Sequence, residues 1–446
     1  MSYIPNTAED QKQMLGLIGI ASVDELFNAI PDQLRIKSDL DIPGRLDQIS
    51  LAKRMQTLAR KNADAESYPT FLGAGVYDHY VPPTVAAITG RSEFYTSYTP
   101  YQPEVSQGTL QSIFEFQSLI CGLSGMDIAN ASMYDGASAL AEAAIMAGEL
   151  TGRGTILVPD TVDPRFRDVI TTYLRHMKMH VEVVPTTGGR LDEAALEGAL
   201  SSDSAALILQ HPNFFGNLEE AAALGRQAQE AGALFVVSYD PISLGLLTPP
   251  GEYDADIAVA DGQSLGCPMG FGGPLLGLFG CKQKYLRRIP GRLVGQTTDV
   301  DGKRAFVMTL RTREQDIRRE RATSNICTNV ALYALAASVY LATMGKAGLR
   351  QVAELCVQKA HYAAAEIAAL PGFALAFPDA PFFKEFAVRC PRPPVEINEY
   401  LFSKGVIGGL PLTGELSDSL LICVTEQRTR ADIDQLVALL GEAAGA

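Results

Sequence analysis

Two stretches, Ala233-Leu-Phe-Val-Val-Ser-Tyr-Asp240 and Asp256-Ile-Ala-Val-Ala-Asp-Gly-Gln-Ser-Leu-Gly266, decide the fold of this chain. Each begins with an apolar run of strand length, and an acid follows that run. A continuous run, rather than an alternating one, is what a strand buried on both faces requires. Similar runs stand at 155–158, 180–184, 205–209 and 275–279, with amphipathic helical patterns such as 192–200 and 218–231 between most of them. That alternation predicts an α/β fold with a mostly parallel sheet and helices on both faces. No lysine occurs between Lys178 and Lys282.

Composition sets the outer limits. A chain of 446 residues, 47% hydrophobic, has material for a large core and a second, smaller domain. A formal charge of −14 argues against nucleic-acid binding, which needs a basic face. No apolar run approaches the roughly 18 residues that span a bilayer, so no membrane role is expected. The amino terminus lacks a basic stretch followed by an apolar one and is not enriched in arginine. Neither export nor organelle import is signalled, and a cytoplasmic location is expected. The seven cysteines and five histidines are dispersed without a C-x-x-C pair, which reads as reduced thiols and no metal site.

Three parts are expected: an N-terminal helical arm over 1–62, a large domain over 63–335, and a smaller C-terminal α+β domain over 336–446. Thr7 and Ser22 both resemble helix N-caps, and Ser22 with Glu25 has the spacing of a capping box. A long helix is expected from near Asn325. The last elements are a strand over 420–425 and a helix capped by Thr429.

Three segments are candidates for chemistry. Phe71-Leu-Gly-Ala-Gly-Val-Tyr-Asp-His-Tyr80 suits a loop at a pocket or a surface turn, and His79 has no evident Cys or Ser-Asp partner. Tyr95-Thr-Ser-Tyr-Thr-Pro-Tyr-Gln-Pro-Glu-Val-Ser-Gln-Gly108 is interrupted by Pro100 and Pro103, so it forms neither a regular helix nor a central strand. Rigid phenols in such a loop suit recognition of a polar ligand, and a purely structural crossing segment is the alternative. Asp135-Gly-Ala-Ser138 opens an Ala-rich helix as a phosphate cradle does, although Asp135 repels a phosphate. Gly270-Phe-Gly-Gly-Pro274 reads as a tight turn. The arginines at 311, 313, 318, 319 and 321 mark either a solvated face or one that answers acids on a partner.

The two deciding stretches resemble the core of pyridoxal-phosphate (PLP) enzymes of the aminotransferase-like fold, fold type I. There, an acid placed like Asp240 pairs with the pyridine nitrogen and a lysine after the next strand holds the cofactor as an imine. Gln263 occupies that lysine position, and an amide cannot form the imine. The blocks at 71–83, 95–108, 135–142, His211-Pro-Asn-Phe-Phe-Gly216 and Arg321-Ala-Thr-Ser-Asn-Ile-Cys-Thr328 occur in an order that is similar to the P-protein of the glycine cleavage system, glycine decarboxylase. The resemblance covers nearly the whole chain, and the tyrosine-proline block is its most specific part. Within the family the chain looks like the alpha type, subunit 1, of the split form.

The resemblance implies an α2β2 assembly in which the beta subunit holds PLP on the lysine of a His-Lys-Thr segment. Glycine is decarboxylated there, and its aminomethyl group passes to the lipoyl group of the H-protein. The present chain is then not active alone and completes the cleft. Tyr95, Tyr98, Tyr101 and Glu104 are the candidates to reach across, while Asp240 and Ser138 belong to a vestigial cofactor pocket. The alternatives are a purely structural or regulatory subunit and an autonomous PLP enzyme using Lys282 or Lys284.

Overall fold

The computed structural model describes residues 5–270, 272–326 and 328–445, so Phe271 of the 270–274 turn and Cys327 of the 321–328 block lie outside the described residues. The chain divides into two compact units, Met1–Ala63 and Asp64–Ala446.

The first unit carries helices Ala8–Ile18 and Gln48–Ala59, neither of which holds a buried residue. Its capping box lies at Thr7, whose hydroxyl accepts from Asp10 N while the Asp10 carboxylate accepts from Thr7 N. The box expected at Ser22 does not form. Only the short 3-10 turn Val23–Phe27 follows, and Glu25 instead accepts from the backbone N–H of Ala21 at 3.0 Å. A five-residue 3-10 turn does not create the full set of unpaired N–H groups that a capping box satisfies.

The second unit is built on a seven-stranded sheet with strands β1 (Ile128–Ala129), β2 (Thr155–Pro159), β3 (His180–Val184), β4 (Ser204–His211), β5 (Leu234–Tyr239), β6 (Ile257–Asp261) and β7 (Gly277–Cys281). Their spatial order is β1-β7-β6-β5-β4-β2-β3, parallel from β6 through β3 and antiparallel where β7 pairs with β6 and β1. The continuous apolar runs have the predicted cause. Leu207, Leu209, Phe235 and Val237 face one core cluster, and their chain neighbours Ala206, Ile208 and Val236 face another. Helix Gly136–Thr151 fills the second cluster; Gln107–Ser124, Ala221–Glu230 and the start of Ala331–Ala368 fill the first. Strand β3 departs from the expectation. It sits at the sheet edge, and three of its five residues are exposed.

Beyond a hairpin of Leu293–Thr298 with Arg304–Thr309, the long helix begins at Ala331, six residues later than expected, and breaks at Gly345 (φ 59°). It leads to an antiparallel sheet of Ala374–Leu375, Glu385–Arg389, Ser419–Cys423 and Leu410–Pro411. Segment 70–80 ties this sheet to the large one. Phe71 N donates to Ile407 O, and Cys423 N donates to Phe71 O. Strands β4, β5 and β6 all end on the same side of the large sheet, where open parallel sheets place their binding crevices.

Candidate functional site

The crevice at those strand ends is nearly filled. Gln210, Ser238, Asp240 and Asp261 from the large sheet meet Tyr77, Lys384 and Glu385 around a cavity of about 50 Å³.

Gln263, which follows β6, is 2% exposed and uses its whole side-chain amide inside the chain. Its Oε1 accepts from Tyr77 N at 2.9 Å, and its Nε2 donates to Tyr77 O at 3.0 Å and to Cys267 O at 2.8 Å. The amide thus pairs with the Tyr77 backbone as a neighbouring strand does. A lysine has no acceptor and cannot make this pairing.

Asp240 follows β5 directly, and its Oδ2 lies 2.6 Å from Lys384 Nζ. Lys384 is buried. Its ammonium sits 3.5 Å from the centroid of the Tyr77 ring and 3.0 Å from His79 Nε2. An ammonium only donates, so Nε2 accepts and the ring proton sits on Nδ1, which faces Glu426 Oε2 at 2.6 Å. The result is a buried series Glu426–His79–Lys384–Asp240 joining the two sheets. Burial pulls the Lys384 ammonium down, but Asp240 more than reverses this and its pKa rises. Burial pushes the Glu426 carboxyl up, and the hydrogen bonds from the His79 ring and the Tyr80 N–H pull it down. Ligand atoms of His79, Cys356 and Glu426 lie within 4.8 Å of one another, with His79 Nδ1 and Cys356 Sγ both on Glu426 Oε2. A metal on Nδ1 requires the ring proton on Nε2, where it meets the Lys384 ammonium donor to donor. The trio is therefore a hydrogen-bonded core cluster.

Glu385 accepts from Ala74 N at 2.7 Å and from the Tyr77 hydroxyl at 2.9 Å. Two glycines and an alanine hold that approach: Gly73, Ala74 and Gly75 all have positive φ. A Cβ on Gly73 would stand 2.3 Å from Cys423 Cβ. Ala74 gives up about 1–2 kcal/mol to this left-handed backbone, a local strain of the kind found at ligand clamps.

The phosphate cradle is likewise occupied. Ser138, at the start of helix Gly136–Thr151, donates its N–H to Asp135 Oδ1 at 2.7 Å, and Gly136 N donates to Asp261 Oδ2 at 3.0 Å. Gly136 permits this approach, because a Cβ there would lie 2.9 Å from Asp261 N. Asp135 thus does more than repel a phosphate. Its carboxylate takes the helix amide that an anion needs.

Burial raises Glu142, Glu219 and Glu385 from 4.5 to about 7, and Asp261 from 3.8 to about 6. A raised carboxyl binds its proton more tightly when folded, so each group favours folding fully below its unfolded pKa and loses that contribution as pH rises through the folded one. The melting temperature is therefore expected to fall between about pH 4.5 and 7. A thermal-melt series that rises across this window overturns the assignment of these carboxyls as protonated.

The tyrosine loop lies elsewhere and is not among the residues lining the cavity. Tyr95 ends the short helix Ser92–Tyr95 and Glu104 sits in the 3-10 turn Pro103–Val105; Tyr95, Tyr98 and Tyr101 are 68%, 76% and 45% exposed. The Tyr101 hydroxyl accepts from Arg292 Nη2 at 2.6 Å, and the Arg292 and Arg311 guanidiniums both approach its ring. Gln107 fastens the end of the loop to both backbone groups of Phe306. The loop is anchored at Tyr101 and Gln107, and Tyr95 and Tyr98 are exposed.

Lys282 and Lys284 are at the opposite end of β6 from Gln263, paired with Asp256 at 3.0 and 3.4 Å. The reading that uses either as the cofactor lysine is corrected by that placement. The lysine that does enter the crevice, Lys384, escaped the sequence reading, as did Glu426. The available signal was a Lys-Glu pair inside the apolar run Pro381-Phe-Phe-Lys-Glu-Phe-Ala-Val388, a local inconsistency of the kind that marks special sites.

A family model described as "Glycine cleavage system P-protein" matches residues 1–440. The chain is 52% identical over 445 residues to "Probable glycine dehydrogenase (decarboxylating) subunit 1" of Desulfitobacterium hafniense, covering 99% of this chain and 100% of the relative. Among solved structures it is similar to a glycine decarboxylase (P-protein) of the glycine cleavage system in inhibitor-bound form. That match has a TM-score of 0.91 at 44% identity, over 99% of this chain and 100% of that one. An alanine–glyoxylate aminotransferase from Nostoc sp. shares the fold, with a TM-score of 0.58 at 18% identity over 92% of this chain and 98% of that one.

Proposed function

The chain belongs to the glycine cleavage system P-protein family, and we propose that it acts as the cofactor-free subunit of a two-chain glycine dehydrogenase (decarboxylating). Its fold is that of the type I PLP-dependent enzymes. The observation that carries the proposal is Gln263, whose amide is committed to Tyr77 and Cys267. The residues present do not fit PLP. No amine stands at 263, Asp240 is already paired, and the helix amides are already filled.

PLP is accordingly carried by a partner subunit, and the expected assembly is α2β2. Glycine is decarboxylated on the partner, and the aminomethyl group passes to the lipoyl group of the H-protein. This chain contributes walls and donors to the shared cleft through Tyr95, Tyr98, Tyr101 and Glu104. Support comes from the loop itself, which is exposed yet fixed, with tyrosines and arginines side by side as in interface hot spots. A pair of N-terminal helices that mix apolar and charged residues and bury none of them suits wrapping a partner. The total buried interface is expected to exceed about 2,000 Å². No helix among the described residues is long and apolar enough to cross a membrane, and six described cysteines are unpaired, which suits a cytoplasmic location.

The test is reduction of the chain with borohydride in the presence of PLP, followed by peptide mass mapping. No adduct is expected on residues 179–281 and no stoichiometric one elsewhere. A single dominant adduct on any lysine overturns the cofactor-free reading.

A further inference from the structure

We propose that Lys384 is a built-in occupant of the cofactor site: its ammonium takes the place of a pyridinium N–H at Asp240 and keeps PLP out even when a lysine is supplied at position 263. This rests on the reading of the chain as a cofactor-free subunit and goes a step further, from a missing nucleophile to an occupied pocket.

Three observations carry it. The Lys384–Asp240 contact of 2.6 Å is the hydrogen bond a protonated pyridine makes to a carboxylate, donor and charge alike. The Tyr77 ring lies against the ammonium at 3.5 Å, so a cation and its aromatic partner stand beside Asp240. The remaining cavity of about 50 Å³ holds a few waters at roughly 10–15 Å³ each, far below the roughly 300 Å³ at which ligand pockets begin.

The groups a cofactor would use are also already engaged. None of the described residues lining the cavity has a buried side-chain N or O without a partner. Losing a cofactor lysine alone leaves an acid and a cradle unsatisfied. Here the acid has Lys384, the cradle amides have Asp135 and Asp261, and the lysine position has an amide paired to backbone. Lys384 enters from the residue before strand Glu385–Arg389 of the C-terminal sheet, so the occupant also fastens that sheet over the crevice.

The experiment compares the full-length wild type, Gln263→Lys, and Gln263→Lys with Lys384→Ala, which removes the ammonium and frees the space its stem fills, each incubated with PLP, reduced with borohydride and mapped by mass. Imine formation at 263 joins the side-chain nitrogen to the aldehyde carbon with loss of water, and borohydride adds hydride to that carbon to leave a stable secondary amine. The single variant is expected to remain essentially unlabelled at 263, and the double variant to carry roughly tenfold more adduct there or above. Circular dichroism checks that each is folded. Should Lys384→Ala not fold, Lys384→Thr replaces it, which keeps more of the packing and leaves Asp240 in place. Stoichiometric labelling of the single variant overturns the proposal, and so does a folded double variant that stays unlabelled. A dominant adduct on the wild type instead ends the cofactor-free reading.

Discussion

Lys384→Met should destabilise the chain by about 3–5 kcal/mol, the usual cost of removing one partner from a buried ion pair. Methionine has nearly the volume and flexibility of the lysine stem, so little of the loss comes from a cavity. It comes from what is stranded. Asp240, with 12% of its side chain exposed, is left without its partner, and His79 Nε2 loses its donor. Asp240→Asn alone strands the ammonium in turn. Replacing both residues together is expected to restore most of the loss, because the double variant contains no unpaired charge. Urea midpoints of the four proteins form a double-mutant cycle, with a coupling of several kcal/mol expected, at or above the roughly 0.5–3 range of ordinary contacting pairs. Strict additivity of the two single losses rules out the pair as a unit.

The same series shows what sequence can and cannot disclose. Strands β4, β5 and β6 were legible because burial on both faces imposes a local signature, an unbroken apolar run. Asp240 and Gln263 were legible because they stand at fixed offsets from those runs. Lys384 and Glu426 were not, since they meet His79 across separations of 305 and 347 residues, and nothing local announces a contact of that span. The reading of Asp135 was incomplete. A carboxylate at a helix N-terminus repels a phosphate, but it also caps the helix, and the fold brings Asp261 from 125 residues away to accept from Gly136. The Ser22 box failed for the opposite reason: the local pattern was present without the helix that gives it a purpose.

Tyr98→Phe should lower glycine–CO2 exchange by the assembled enzyme about tenfold or more while leaving the assembly intact. Tenfold corresponds to about 1.4 kcal/mol, close to one net hydrogen bond to a charged group. The substitution removes a single oxygen and preserves the ring, so contact area is nearly unchanged. At 76% exposure the Tyr98 ring adds little to the chain's own core, and the loop around it is held by Gln107 and by Tyr101 between two guanidiniums. A tyrosine ring, with two side-chain torsions, loses little conformational entropy on meeting a ligand or a partner's cleft, which makes its hydroxyl a useful donor. The measurement pairs an exchange assay with size-exclusion of the same sample and the PLP content of the partner subunit. A lower rate with unchanged assembly and unchanged cofactor content places the hydroxyl in the shared cleft. Wild-type exchange from an intact mutant complex makes the loop architectural and favours a subunit that only scaffolds its partner.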